Sequence, residues 1–344
     1  YEKKHELNIG VAFGFVDNRI NVEFDWYRRN NFDLIGFTQT MGVGGVTTKL
    51  ANDATMQSTG CEFTISTTNI KTKDFKWTTD WIFGWAENTI TKLDSRSQVY
   101  ELVNGFGRTE GRPIGALYSI PFAGLTEEGL PTFYIDAEHT QIAGPDNYDA
   151  IYFQEYENVD YLKYEGSIDP TITGSFGNTF SWKGLKLNVF FTYSFGNVLR
   201  LDDLCPVYSS DYSDLTASMK EMKNRWMVPG DEQLTTIPSI PTVRQMREIN
   251  ALNNAYSAYN YSTERVAKGD FIRLKELSLA YDLPKKVFEG QKAVSSFGVK
   301  LSATNIWLAY ADKKLNGRDP EYYNSGGVSS PVPRQFTLTV KLGF

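Results

Sequence analysis

The strongest constraint in this sequence is a period-two alternation of apolar and polar side chains. It recurs in nine stretches, joined by connections that alternate short and long. In Arg19–Trp26, Ile20, Val22, Phe24 and Trp26 fall on one face of a strand, and Asn21, Glu23 and Asp25 fall on the other. Any half-buried strand alternates this way. A transmembrane β-barrel adds a second condition: tight turns close one end and long loops the other, while one strand face meets lipid and the opposite face a wet lumen.

The nine expected strands are His5–Val16, Arg19–Ile35, Ser58–Ile70, Phe75–Ile90, Thr171–Trp182, Leu185–Phe195, Asp270–Leu283, Ser295–Leu308 and Gln335–Phe344. Asp17-Asn18, Lys71–Asp74 and Lys183-Gly184 read as tight turns. A connection of about ten residues joins the seventh and eighth strands, and the others run to about 20, 80, 70 and 25 residues. The second of these long connections has room for small strands. Within the third, Asp214–Trp226 and Ser239–Asn254 read as helices. The apolar face of the seventh strand switches near Glu276, which fits a β-bulge.

With the tight turns assigned to the periplasm, the first and last strands run downward and every long connection lies outside. Trp77 and Trp182 then sit near the periplasmic ends of their strands, and Trp26, Trp85 and Trp307 toward the outer ends. Trp77 to Trp85 spans about 26 Å along a strand, which after tilting approaches the apolar band of about 25 Å. Aromatics make up 14% of the chain, which favours strands and interfacial girdles. A net charge of -6 argues against a nucleic-acid partner. No apolar run is long enough for a membrane helix. The start Tyr1–His5 has no apolar leader, as expected for a cytosolic protein or a piece of a longer one. Nine strands are odd in number and would leave open edges in lipid, so residues 1–344 are expected to be the C-terminal part of a larger barrel. The expected fold class is all-β, an antiparallel transmembrane β-barrel portion with long extracellular loops.

Several ordered motifs resemble the C-terminal half of SusC/RagA-type TonB-dependent outer-membrane transporters. Glu110–Tyr134 is similar to the family's GYPLG…GLD…G.P block, with Arg112 where Tyr is common. Ile168–Asn197 resembles its P.…GG..N.F.YKG hairpin, Arg225-Trp226 with Pro229-Gly230-Asp231 its RW..PGD segment, and Asp270–Pro284 its D-F-L-R-L-K strand. Asp319-Pro320-Glu321 matches its DPE loop, and the final Phe344 is usual in outer-membrane barrels. The resemblance implies a plugged barrel of about 22 strands in a Gram-negative outer membrane. It implies active import of an oligomeric nutrient, glycan ahead of peptide, with energy from TonB reaching a missing N-terminal region. It further implies a SusD-like surface lipoprotein as partner, contact with membrane lipid, and a dimer of the transporter–lipoprotein pair. The alternatives are a passive porin or structural barrel, and a soluble β-rich carbohydrate-binding domain.

No catalytic residues, metal or cofactor are expected. His5 and His139 are far apart in sequence, and the pairs Glu127-Glu128 and Asp202-Asp203 read as ordinary loop acids rather than a glycosidase dyad. Cys61 and Cys205 read as two unrelated thiols. Trp226, Tyr208, Tyr212, Tyr256, Tyr259 and Asp319 are the candidates for touching substrate or a partner loop, because aromatic faces stack on sugars or peptides and binding residues collect in loops. For Trp226 and Asp319, fixing loop geometry is the competing role. Strand parity points Glu23, Asp25, Glu62, Asp80, Lys186, Asn188 and Lys300 into the lumen. The loops Glu110–Tyr134, Leu201–Asn260 and Ala311–Pro333 are expected to form the outer vestibule.

Phe344 is the expected barrel-assembly residue, since related barrels are recognised by their terminal aromatic. A full-length Phe344→Asp variant is expected at reduced level in isolated outer membranes, measured by immunoblot against the wild type.

Overall fold

The computed structural model describes residues 1–204, 220–284, 287, 294–321 and 333–344. Nine strands form one antiparallel sheet in strict sequence order. They are β1 Lys3–Phe15, β2 Ile20–Gln39, β3 Thr48–Lys71, β4 Phe75–Leu93, β5 Ile172–Trp182, β6 Leu185–Phe195, β7 Phe271–Asp282, β8 Ser296–Ala311 and β9 Gln335–Gly343. The tight turns follow from local chemistry. Between β1 and β2, Asp17 and Asn18 both take positive φ and Arg19 N–H donates to the Val16 carbonyl at 3.1 Å. That backbone twist matches two antiparallel strands, and Asp and Asn tolerate it. Lys183 and Gly184 repeat the arrangement between β5 and β6, with φ of 46° and 89°.

Register places like with like across the whole sheet. One face carries the cross-strand row Phe13, Val22, Ile65, Trp81, Phe176 and Phe191. A second row runs Trp77, Phe180, Leu187, Leu279, Leu301 and Leu338. Neighbouring rings touch across this face, with centroids 5.6 Å apart for Trp77–Phe180 in the second row and 4.6 Å for Phe24–Phe63 in another. Ile20, Leu301 and Val340 are exposed on this face, while Val22, Phe24, Phe83, Leu187 and Val189 are half-buried against neighbouring side chains. So broad an apolar surface would drive aggregation in water and is what a lipid-facing wall requires. The opposite face carries Glu23, Asp25, Glu62, Asp80, Lys186, Asn188 and Lys300 in the register expected from parity. Ser66 donates to Asp80 across it at 2.7 Å, and Lys300 pairs with Glu276 at 3.1 Å.

Two features depart from the sequence reading. The connection expected over about 20 residues between the second and third strands is only residues 40–47, because β2 and β3 keep pairing out to Gln39 and Thr48. The extension is polar and carries register shifts near Asp33 and Asp53, so it lacks the regular apolar alternation used to bound strands. At about 3.3 Å per residue, strands of 20 and 24 residues far exceed a band of about 25 Å and project beyond it. The helix expected over Ser239–Asn254 is instead two short ones, Val243–Glu248 and Leu252–Asn260, separated at Ala251 by a φ of 53°. Thr242 starts the first by accepting the Gln245 N–H in a capping box. Of Asp214–Trp226, residues 214–219 lie outside the described residues, and Lys220–Asn224 form a 3-10 turn. The expected bulge is present: the pairing of β7 with both neighbours skips Lys275, between Leu274 and Glu276.

Replacing Leu301 by Arg in the full-length protein is expected to destabilise the folded barrel in bilayers by about 2–4 kcal/mol. Denaturant titration in vesicles checks this, with the polar-face substitution Ser302→Arg expected to cost clearly less.

Candidate functional site

The larger hydrophobic core lies entirely outside the wall strands. It is built by two connections at one end of the sheet, residues 94–171 and 196–270, which fold together into a cap. Helix α1 Val99–Val103 and the segments Ala116–Ser119 and Pro131–Tyr134 come from the first. Helices α2 Val243–Glu248 and α3 Leu252–Asn260 come from the second. Val99, Leu130, Phe133 and Tyr148 are fully buried against Leu252, Ala255, Tyr256 and Tyr259. Each large side chain buried there contributes about 1.5–3 kcal/mol relative to exposure. Ile120 joins the connections through backbone, donating to the Tyr261 carbonyl at 3.0 Å and accepting from Thr263 N–H at 3.1 Å. The Tyr148 hydroxyl donates to the Pro131 carbonyl at 2.8 Å, and burial pushes it well above its ordinary pKa.

Three arginines bind the outer segments to one another. Arg200 donates to the Val103 and Tyr118 carbonyls and Ser119 Oγ of the first connection, and to the Ser262 carbonyl of its own. Burial lowers its guanidinium to about 10, which leaves it charged at neutral pH. Arg265 bonds Glu221 and the Asp202 carbonyl, both at 2.6 Å. Asp202 in turn pairs with Arg318 of the third connection, between β8 and β9. Arg273, on the polar face of β7, pairs with Asp319 and with Glu321, the latter at 3.3 Å. Asp319-Pro320-Glu321 thus holds this outer loop against the wall.

The expected contact residues take different places. Tyr256 and Tyr259 are core residues of the cap, and the Tyr256 hydroxyl donates to the Ser239 carbonyl at 2.7 Å. Trp226 packs on Gly129, where an added Cβ would stand 2.4 Å from the indole, and its Nε1 donates to Glu232 at 3.1 Å. Asp231 closes the adjoining turn by accepting from the Met227 and Val228 N–H groups. Asp319 is largely buried beside Arg273. Phe344 is 90% exposed beyond β9. Tyr208, Tyr212 and Cys205 lie outside the described residues. Cys61 is a free thiol in β3. Sequence reading missed Arg200, Arg265 and Arg273; Arg200 carries a local signal, a lone Arg flanked by Val198, Leu199 and Leu201. Among the described residues no group of three or more His, Cys, Asp or Glu side chains could hold a metal ion.

No family model matches the chain. It is 26% identical over 371 residues to TonB-dependent receptor P3 of Formosa agariphila, covering 100% of this chain and 34% of the relative. TonB-dependent receptor P26 of the same organism is 25% identical, over 100% of this chain and 35% of the relative. TonB-dependent receptor SusC of Bacteroides thetaiotaomicron is 34% identical over 94 residues, or 27% of this chain and 9% of SusC. A solved structure of the RagAB peptide transporter superposes with a TM-score of 0.73 at 25% identity, covering 100% of this chain and 35% of that one. The RagAB peptide importer in a closed-closed state gives 0.74 at 26% identity. The chain spans about a third of the length of the curated relatives it matches throughout.

Arg200→Ala in the full-length protein leaves four acceptors of the cap without their donor, at about 1–3 kcal/mol for each one kept from water. Limited proteolysis in membranes is expected to cut residues 94–171 faster in this variant, while the wall strands stay protected.

Proposed function

We propose that this chain is of the SusC/RagA type of TonB-dependent receptor and that the whole protein imports an oligomeric nutrient across the outer membrane of a Gram-negative bacterium. Residues 1–344 supply part of the barrel wall and an outer cap. The plug domain and the remaining strands of a barrel of about 22 lie outside this chain. The observation that carries the reading is the cap: two long connections build a hydrophobic core of their own at one end of a lipid-facing wall. Long outer loops are general to outer-membrane barrels, but a passive pore does not need two of them folded into a separate core. A folded vestibule suits capture of a bulky solute and docking of a lid.

The proposed partner is a SusD-like lipoprotein seated on the cap, burying well over about 2,000 Å² if it stays bound. A dimer of this pair is the proposed assembly. Import past a closed plug against a gradient needs outside energy, which TonB would deliver through the plug region. Glycan is the proposed cargo. Peptide is the second reading, supported by the likeness over the full chain to a transporter described as importing peptides. The protein is proposed to act as a transporter without catalytic chemistry of its own.

Uptake by cells carrying the full-length protein is expected to cease when TonB or the lipoprotein gene is deleted. Undiminished uptake of labelled oligomer without TonB would favour the passive pore.

A further inference from the structure

Between the outer extension of β2 and β3 and the first cap connection lies a cleft of about 740 Å³. That size falls within the roughly 300–1,000 Å³ of small-ligand sites. Asp53 sits at its floor, as the extra residue where the pairing passes from Leu34–Ala54 to Ile35–Asn52. Its side chain is 1% exposed. Oδ2 accepts from Ser95 Oγ at 2.8 Å and from Arg108 Nη1 at 3.3 Å, while Oδ1 has no partner. Thr38 Oγ1, buried in the same cleft, has none either. Gly36 makes the floor possible, since a Cβ there would stand 2.9 Å from both Arg108 and Asp53. A buried polar atom left without a partner costs about 1–3 kcal/mol, and a native site that holds two calls for a ligand or water to satisfy them.

The rim differs from the floor. Phe37 and Phe106 are 73% and 59% exposed, and Tyr100 braces Phe106 edge-on at 5.8 Å. Arg96 is exposed on the same cleft. Glu101 and Glu155 are committed to backbone N–H groups and hold the loops in shape. The lining carries five acids, Asp53, Asp94, Glu101, Glu155 and Glu157, against Arg96 and Arg108. That balance repels sulfated or uronate chains. A neutral sugar ring matches the rest: its C–H face lies on an aromatic ring, and each hydroxyl both donates to a bare acceptor and accepts from a guanidinium.

We propose that this cleft is a subsite for one unit of a neutral glycan, with Phe37 and Phe106 as stacking platforms and Asp53, Thr38 and Arg108 reading hydroxyls. The proposal rests on the import reading and narrows its cargo. The test uses the purified full-length protein on an array of neutral oligosaccharides, with sulfated oligosaccharides and Lys/Arg-rich peptides as competing probes. The wild type is expected to bind a neutral oligosaccharide, and the Phe37→Ala Phe106→Ala double variant to bind it about tenfold or more weakly with an unchanged cap proteolysis pattern. Asp53→Asn, tested as a second variant, is expected to weaken the same binding. Binding that survives the double substitution, binding confined to sulfated or cationic probes, or no binding overturns the subsite. Uptake separates the two ideas. TonB-dependent uptake at the wild-type rate in the double variant removes the subsite and leaves import standing, whereas uptake by the wild type that ignores TonB removes the import reading.

Discussion

Backbone hydrogen bonding is the constraint on which the rest of this structure depends. In the apolar interior of a bilayer no water can satisfy an N–H or C=O group, so each must find its partner across the sheet. The nine strands meet this with unbroken antiparallel neighbours from β1 to β9. Once the ladder is continuous, strand parity fixes the rest. Every residue directly opposite another shares its face, so a one-residue slip would carry Phe24, Phe63 and Phe83 into the lumen and Asp25 and Glu62 into lipid. The irregularities respect this rule. The shift at Lys275 affects the pairing of β7 with both β6 and β8 and leaves Leu274 and Leu277 opposite apolar partners on each side.

Because the wall's apolar face is solvated by lipid, it needs no closed core, and the protein's larger core is placed where water returns. The cap therefore folds by the rules of a soluble domain: buried Leu, Val and Tyr side chains, short capped helices, and polar groups tied to backbone acceptors. Charge ties the wall to the outer connection between β8 and β9. Arg273 sits on the polar face of the wall and reaches Asp319 and Glu321 above it. A charged side chain so largely removed from water is tolerable only with such partners. The DPE segment is in this sense a clasp, and its proline narrows the backbone freedom of the loop that carries the two acids.

The wall was legible from sequence because its determinants are local. Period-two alternation located all nine strands. Asp17-Asn18 and Lys183-Gly184 announced their turns through residues that accept positive φ, and the face switch near Glu276 announced the bulge. The outer hairpin was not legible, since residues 48–57 pair with β2 while carrying little apolar alternation. The cap was still less so. Tyr256 and Tyr259 look like exposed loop aromatics until α3 packs against residues 130–151, about a hundred positions earlier in the chain. Period and spacing say nothing about contacts at that distance. The same holds for Arg200, whose acceptors come from residues 103, 118, 119 and 262.

The division between wall and cap also bears on where selectivity can reside. Wall side chains that face the polar interior are held in a rigid ladder, so their positions cannot adapt to one cargo without moving a whole strand. The cap and the projecting hairpin carry no such restriction. Asp53 lies in an irregular step of the ladder, above the lipid-facing band, where the chain is free to add a residue and turn a carboxylate inward. Two buried polar atoms left without partners, Thr38 Oγ1 and Asp53 Oδ1, lie together on the cleft beside that step. A regular barrel strand has no room for such a step. The hairpin that sequence periodicity failed to bound is long because it leaves the membrane, and outside the membrane a strand is free to be irregular enough to bind.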